Sequence, residues 1–217
     1  VGEGVCFLLN GLSYIAVIAS LFAMNIPPAQ PRATTKRVLL ELREGLQYAG
    51  QFEPIRAILL MLALVSFAGM PYTVLLPIFA RDILAGGPQT LGFLMGAAGI
   101  GALFGAVYLA SRKTVFGMGK LIPIASILFG LSLMIFSFSK IMMVSLMLMF
   151  LTGLGQMIEM ATSNTLLQTI VDDDKRGRIM SLYTIAIMGM TPLGSFLAGS
   201  LASRIGAPWT EIGRAHV

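Results

Sequence analysis

Glu159 stands inside a long apolar run, with Gln156 three residues before it and Ser163 four after. At helical periodicity these three share one face, and Asn164 and Gln168 extend the polarity onto an adjacent face. A charge at the centre of a bilayer costs roughly 2.5–3.5 kcal/mol on insertion scales, so an acid there usually faces a bundle interior or a water-filled cavity. The chemistry it offers is proton carriage by a carboxyl that gains and loses H⁺ as its surroundings change. Two structural readings stand beside this one. Glu159 can be a neutral side chain bonded to Gln156 and Ser163, holding helices together. It can also lie shallow enough to reach water.

A second constellation is Gly69, Pro71, Tyr72, Thr73 and Pro77. Two prolines within seven residues remove backbone donors and predict a kinked or broken helix, and discontinuous helices point to binding sites in transporters. Tyr72 and Thr73 would offer hydroxyls to a substrate. Equally, Tyr72 can be an interfacial aromatic beside a structural kink. Small residues recur as Gly92 and Gly96, Gly101 and Gly105, and again as Gly194 with Pro192 before it. That spacing lets helix backbones approach closely, for sliding or for static packing. The run Asp172-Asp173-Asp174-Lys175-Arg176-Gly177-Arg178 carries both signs of charge. Arg176 and Arg178 could pair with acids such as Asp174 in one conformation and release them in another. The alternative is a solvated anchor for membrane topology.

Soluble-enzyme chemistry finds no footing. There is no GxxxxGK[ST] loop to hold ATP, no HExxH and no G-x-S-x-G. The only cysteine is Cys6 and the only histidine is His216, so neither a disulfide framework nor a multi-ligand metal site is expected, and no cofactor is implied. An intramembrane enzyme would need a second buried acid beside Glu159.

The elements that must position these residues follow from composition. Of 217 residues, 56% are hydrophobic and 12% charged, and mean hydropathy is +0.85. An average soluble domain carries about 25% charged residues, so the chain reads as an all-α polytopic membrane protein, not a nucleic-acid binder. A bilayer core of about 30 Å needs about 20 apolar residues in a helix. Six stretches qualify: 5–24, 55–80, 90–111, 121–139, 141–171 and 179–203. Strands of a barrel would alternate over segments of about ten residues, which these do not.

Eleven lysines and arginines fall in alternate loops, at Arg32, Lys36, Arg37, Arg43, Arg56, Arg112, Lys113, Lys120, Lys175, Arg176 and Arg178. Arg81, Lys140 and Arg204 fall in the others. The bias places the first set in the cytoplasm. One inner connection, 25–54, is long. After Pro27, Pro28 and Pro31 it reads KRVLLELREGLQYAG, with Val38, Leu39, Leu42, Leu46 and Ala49 at helical spacing between charges. That pattern predicts an amphipathic helix on the cytoplasmic surface; a solvated, weakly helical linker is the alternative. The last seven residues, 211–217, break the preceding pattern and resemble translated sequencing-adapter read-through.

One span, a long cytoplasmic linker and then a tightly connected helical set resembles the middle of a major facilitator superfamily transporter. CFLLNGLSYIAVIASLFAM, LREGLQYAG, PYTVLLPIFARDILAGG, TLGFLMGAAGIGALFGA and KRGRIMSLYTIAIMGMTPLGSFLAGSLASRIGAPW are similar to the enterobactin-exporter-like, or transmembrane secretion effector, branch. The resemblance implies that residues 1–24 are the last helix of an N-terminal half, 25–54 the inter-half linker, and 55–210 a C-terminal half without its final helix. It implies secondary active transport, with export of a small, partly hydrophobic siderophore- or drug-like compound coupled to protons. The partners implied are the lipid bilayer, that substrate, protons and the N-terminal half of the same protein, in a bacterial plasma (inner) membrane. It also puts the spans holding Glu159 and Tyr72 beside the central cavity, and the two glycine-rich spans opposite the other half. The acid expected near Arg112 and Lys113 in a second copy of the family's loop motif is missing. A membrane scaffold or sensor of the same fold is the alternative, since fold does not fix function.

Overall fold

The computed structural model describes residues 3–24, 38–112, 114, 115 and 117–200. The chain divides into two compact units, Val1–Lys36 and Arg37–Val217. The first contains α1, Glu3–Ala23. At 1.5 Å per residue it is about 32 Å long, the thickness of a hydrocarbon core. Its Ser13 and Ser20 hydroxyls donate to the carbonyls of Asn10 and Ala16 at 2.7 and 2.8 Å, so neither polar group is left unpaired in an apolar helix. The prolines at 27, 28 and 31, the end of the last expected span at 201–203 and the tail at 211–217 lie outside the described residues.

The second unit runs through α2 (Val38–Gln51), α3 (Glu53–Ala68) and α4 (Tyr72–Ile78), the last continued by a π-turn, Phe79–Ile83. Then come α5 (Pro88–Ala110), α6 (Met118–Phe138), α7 (Met142–Ile170) and α8 (Arg176–Thr184). A second π-turn, Ile185–Gly189, extends α8, and the chain is helical again to Ser200. Among the described residues, five helical stretches are long and apolar enough to cross a membrane: Glu53–Ile83, Pro88–Ala110, Met118–Phe138, Met142–Ile170 and Arg176–Ser200. They coincide with five of the six apolar runs, and no strand occurs among the described residues. The fold is all-α among the described residues.

α7 is the centre of the unit, packed along α5 on one side and α6 on the other. The approach to α5 is backbone to backbone. A Cβ at Gly101 would collide with the Phe150 carbonyl, and one at Gly153 with the Ala98 carbonyl. In an apolar solvent such contact replaces the hydrophobic drive that packs helices in water. Gly92 and Gly96 lie nine residues before Gly101 and Gly105, half a turn out of phase, and a Cβ there would meet nothing. The two glycine pairs therefore lie on different faces of α5.

Two apolar clusters clamp the ends of α7. Leu148 and Met149 pack with Leu76, Leu94 and Phe136 near its start. Leu167 packs with Ile55, Ile58, Ile122 and Ile179 near its end. Between them lies the polar stretch Thr152–Ser163.

Pro71 breaks the span Glu53–Ile83, as its missing N–H requires. Pro71 has no amide to serve the Phe67 carbonyl, and the chain passes Gly69–Pro71 through tight turns with the Tyr72 and Thr73 amides donating to the carbonyls of Gly69 and Met70. Gly194 of the last span seats its backbone against this gap: a Cβ there would overlap the Phe67 carbonyl and reach 2.9 Å from Pro71 Cγ. Pro77 lies within α4 just before the π-turn. Pro192 follows the π-turn of the last span. Both are positions where a lost i→i−4 bond is accommodated by local rewinding.

Candidate functional site

The buried polar residues of α7 form a column. Ser145, Thr152 and Glu159 recur every seven residues, followed by Thr162 and Ser163, and none of the five exposes any surface. At its start the column is satisfied: Ser145 and Ser139 share a hydrogen bond of 2.9 Å, and Thr152 donates to the Leu148 carbonyl at 2.8 Å. Further along it is not. Both Glu159 carboxyl oxygens, Thr162 Oγ1 and Ser163 Oγ have no hydrogen-bond partner among the described residues. The bond from Glu159 to Gln156 and Ser163 that would make it helix–helix glue is absent. Its complete burial also removes the reading in which it reaches water directly.

The other expected site residues divide. Gln156, half-buried, donates to Met70 Sδ at 3.1 Å, tying α7 to the break after α3. Asn164 Oδ1 accepts from Gln168 Nε2 at 2.5 Å. Tyr183 of α8, which sequence reasoning passed over, donates its hydroxyl to the Met160 carbonyl at 3.3 Å. An aromatic hydroxyl one turn inside a span was the available signal.

Tyr72 lines an apolar cleft of about 390 Å³ with Leu76, Phe79, Leu133 and Phe136; Glu159 does not line it. Its ring meets Phe129 edge-on, centroids 6.2 Å apart. Phe129 is wedged between the break and α7, because a Cβ at Gly69 would strike its ring and one at Gly155 would press on its backbone. Thr73 is exposed and spends its hydroxyl on the Met70 carbonyl at 2.9 Å. It stabilises the break and does not enter the cleft.

The charged run meets the linker helix. Arg178 Nη1 pairs with Glu44 Oε2 at 2.9 Å, and Arg176 Nη2 with Asp173 Oδ1 at 2.5 Å. Tyr48 donates to Asp172 at 3.1 Å while Lys175 Nζ sits 4.5 Å from the Tyr48 ring centre. Asp174 is exposed and makes no ion pair among the described residues. The partner for Arg178 thus comes from α2, not from Asp174. α2 does not present one apolar stripe. Gly45 and Ala49 are buried, Leu42 is half-buried, and Leu40 and Leu46 stay exposed. Gly45 packs on α8, where a Cβ would lie at ordinary contact distance, 3.4 Å, from Arg178 Cβ.

Among the described residues no three histidine, cysteine or acidic side chains converge as a zinc or transition-metal site needs.

The family model described as transmembrane secretion effector matches residues 1–217. The chain is 28% identical over 151 residues to the staphyloferrin A transporter of Staphylococcus aureus (strain NCTC 8325 / PS 47), covering 70% of this chain and 38% of that protein. It is 23% identical over 213 residues to the uncharacterized MFS-type transporter YfmI of Bacillus subtilis (strain 168), covering 89% of this chain and 52% of that protein. The chain spans about half, or less, of the length of these curated relatives. No solved structure matches it.

Proposed function

The chain belongs to the transmembrane secretion effector family of major facilitator transporters, and from that premise we propose that the whole protein exports a small, partly hydrophobic, siderophore- or drug-like compound in exchange for protons. The family is one of transporters, not enzymes, and the chain is an integral membrane protein of a bacterial plasma (inner) membrane. The siderophore class is supported by the relative named for staphyloferrin A.

The observation that carries the proton-coupled reading is Glu159: fully buried in the middle of α7, with both carboxyl oxygens unpartnered among the described residues. Buried polar groups are normally hydrogen-bonded, and an exception calls for a cause. Here the cause is a second conformation in which the carboxyl meets water and exchanges its proton. Protonated and deprotonated forms then favour different conformations, which is what coupling requires. The break at Gly69–Pro71 and the π-turns give neighbouring spans places to bend. The cleft at Tyr72 supplies apolar surface for the substrate, and the N-terminal half of the protein closes the cavity. Arg178 and Glu44 act as a cytoplasmic latch, made in one state and released in the other.

The test is substrate-driven proton movement in proteoliposomes of the full-length protein, read with a trapped pH dye against a panel of siderophores and amphipathic drugs. A compound-dependent pH change that disappears in Glu159→Gln is expected. Compound movement with no pH change, or an unaltered change in the variant, overturns the coupling role.

A further inference from the structure

α7 carries six serines and threonines. Four have hydrogen-bonded hydroxyls: Ser145 with Ser139, Thr152 to the Leu148 carbonyl, Thr165 to the Ala161 carbonyl at 2.9 Å and Thr169 to the Thr165 carbonyl at 2.8 Å. The two without a partner among the described residues are Thr162 and Ser163, three and four positions beyond Glu159. In a helix those positions adjoin Glu159, with Cβ atoms about 5–6 Å apart. Three fully buried oxygen-bearing side chains are thus neighbours, and none bonds another. The usual remedy, donation to the carbonyl four residues back, is used by three hydroxyls of the same helix and by neither of these.

A proton on Glu159 adds one donor to the two that the hydroxyls themselves carry, yet none of these oxygens bonds another among the described residues. A small cation among them serves all three side chains at once. An all-oxygen donor set suits a hard ion, and a single carboxylate balances a single positive charge. We propose that Glu159, Thr162 and Ser163 form a site for a monovalent alkali cation of the Na⁺ class, which exchanges with the proton on Glu159. The inference rests on the coupling role proposed for that residue.

The exchange is governed by Glu159 because, among the described residues, the surrounding elements bring no rival charge. α8 contributes Tyr183, engaged with the Met160 carbonyl, and α4 contributes Tyr72, against Phe129. α5 has no charged residue. Glu53 and Arg56 of α3 and Lys120 of α6 are exposed, and Arg176 and Arg178 pair with Asp173 and Glu44.

The test is equilibrium binding of radiolabelled Na⁺ to the full-length protein in detergent, with choline replacing other cations. Saturable binding is expected, resistant to an equal concentration of K⁺ and weakening about tenfold for each pH unit lowered through the range of proton competition. Ser163→Ala and Thr162→Val should each weaken it about fivefold or more while the protein stays monodisperse, and Glu159→Gln should abolish it. Two results overturn the site: no saturable Na⁺ binding by protein that still exchanges protons for substrate, or unchanged binding in Glu159→Gln. The first of these leaves the proton-coupled reading intact. Na⁺ binding without proton exchange does the reverse.

Discussion

Arg178, at the start of α8, pairs with Glu44 of the linker helix at 2.9 Å across 134 residues of chain. Both side chains are about one-third exposed, 31% and 32%, so the pair is worth only about 0.5–1 kcal/mol. A latch of that strength suits a contact that must open repeatedly. Reversing one charge, as in Arg178→Glu, should lower the melting temperature and make the protein transport faster but with poorer coupling. Adding Glu44→Arg should recover most of the loss. A thermal-shift double-mutant cycle on the full-length protein checks this; additivity of the two changes would show that the residues do not act together.

The two faces of α5 should answer differently to the same substitution. Gly101→Leu forces a side chain into the Phe150 carbonyl, and Gly153→Leu one into the Ala98 carbonyl. Each should destabilise the helical unit by about 3 kcal/mol or more and yield little monodisperse protein. Gly92→Leu and Gly96→Leu meet open space and should fold normally. If those two face the N-terminal half, they should still lose transport. Fluorescence size-exclusion profiles beside flux assays separate the two outcomes.

Much of this architecture is legible before any coordinates, because membrane-crossing helices declare themselves by length and hydropathy and prolines by their missing N–H. The break at Pro71 and the burial of Glu159 follow from such local rules. The half-turn offset between Gly92 and Gly101 is also in the spacing, since nine residues advance a helix by two and a half turns. Other features depend on distant packing. Glu44 is one of several acids that Arg178 could meet, and only the docking of α2 on α8 selects it. Thr73 looked like a substrate ligand because its type fits, yet the turn at Pro71 claims its hydroxyl for Met70.

Pro71 and Gly194 should be coupled. Pro71 has no amide to serve the Phe67 carbonyl, and the last span uses Gly194 to lie against that carbonyl. Pro71→Ala restores a donor and should tighten the junction of α3 and α4, slowing hydrogen exchange at the Tyr72–Val74 amides and slowing transport. Gly194→Leu should act in the opposite sense, prising the last span away at a cost of about 1–3 kcal/mol. Hydrogen exchange at those amides, followed in both variants, is the measurement. Equal rates in wild type and Pro71→Ala would mean that the proline does not set the flexibility of the break.

Glu159 permits a test of sign. An acid retained for structural reasons would destabilise the protein when replaced by an apolar residue, because its hydrogen bonds would be lost. Here there are none to lose among the described residues. Glu159→Met keeps the volume, removes an unsatisfied polar group from a fully buried position, and should raise stability by about 1–3 kcal/mol. Transport coupled to protons should disappear in the same variant. Enzymes and transporters commonly trade stability for a strained functional group, and the trade is visible only when both quantities are measured on one protein. A thermal-unfolding shift paired with the proteoliposome assay does so. A less stable Glu159→Met with intact coupling would assign the residue to packing and return the search for the proton carrier to the rest of the chain.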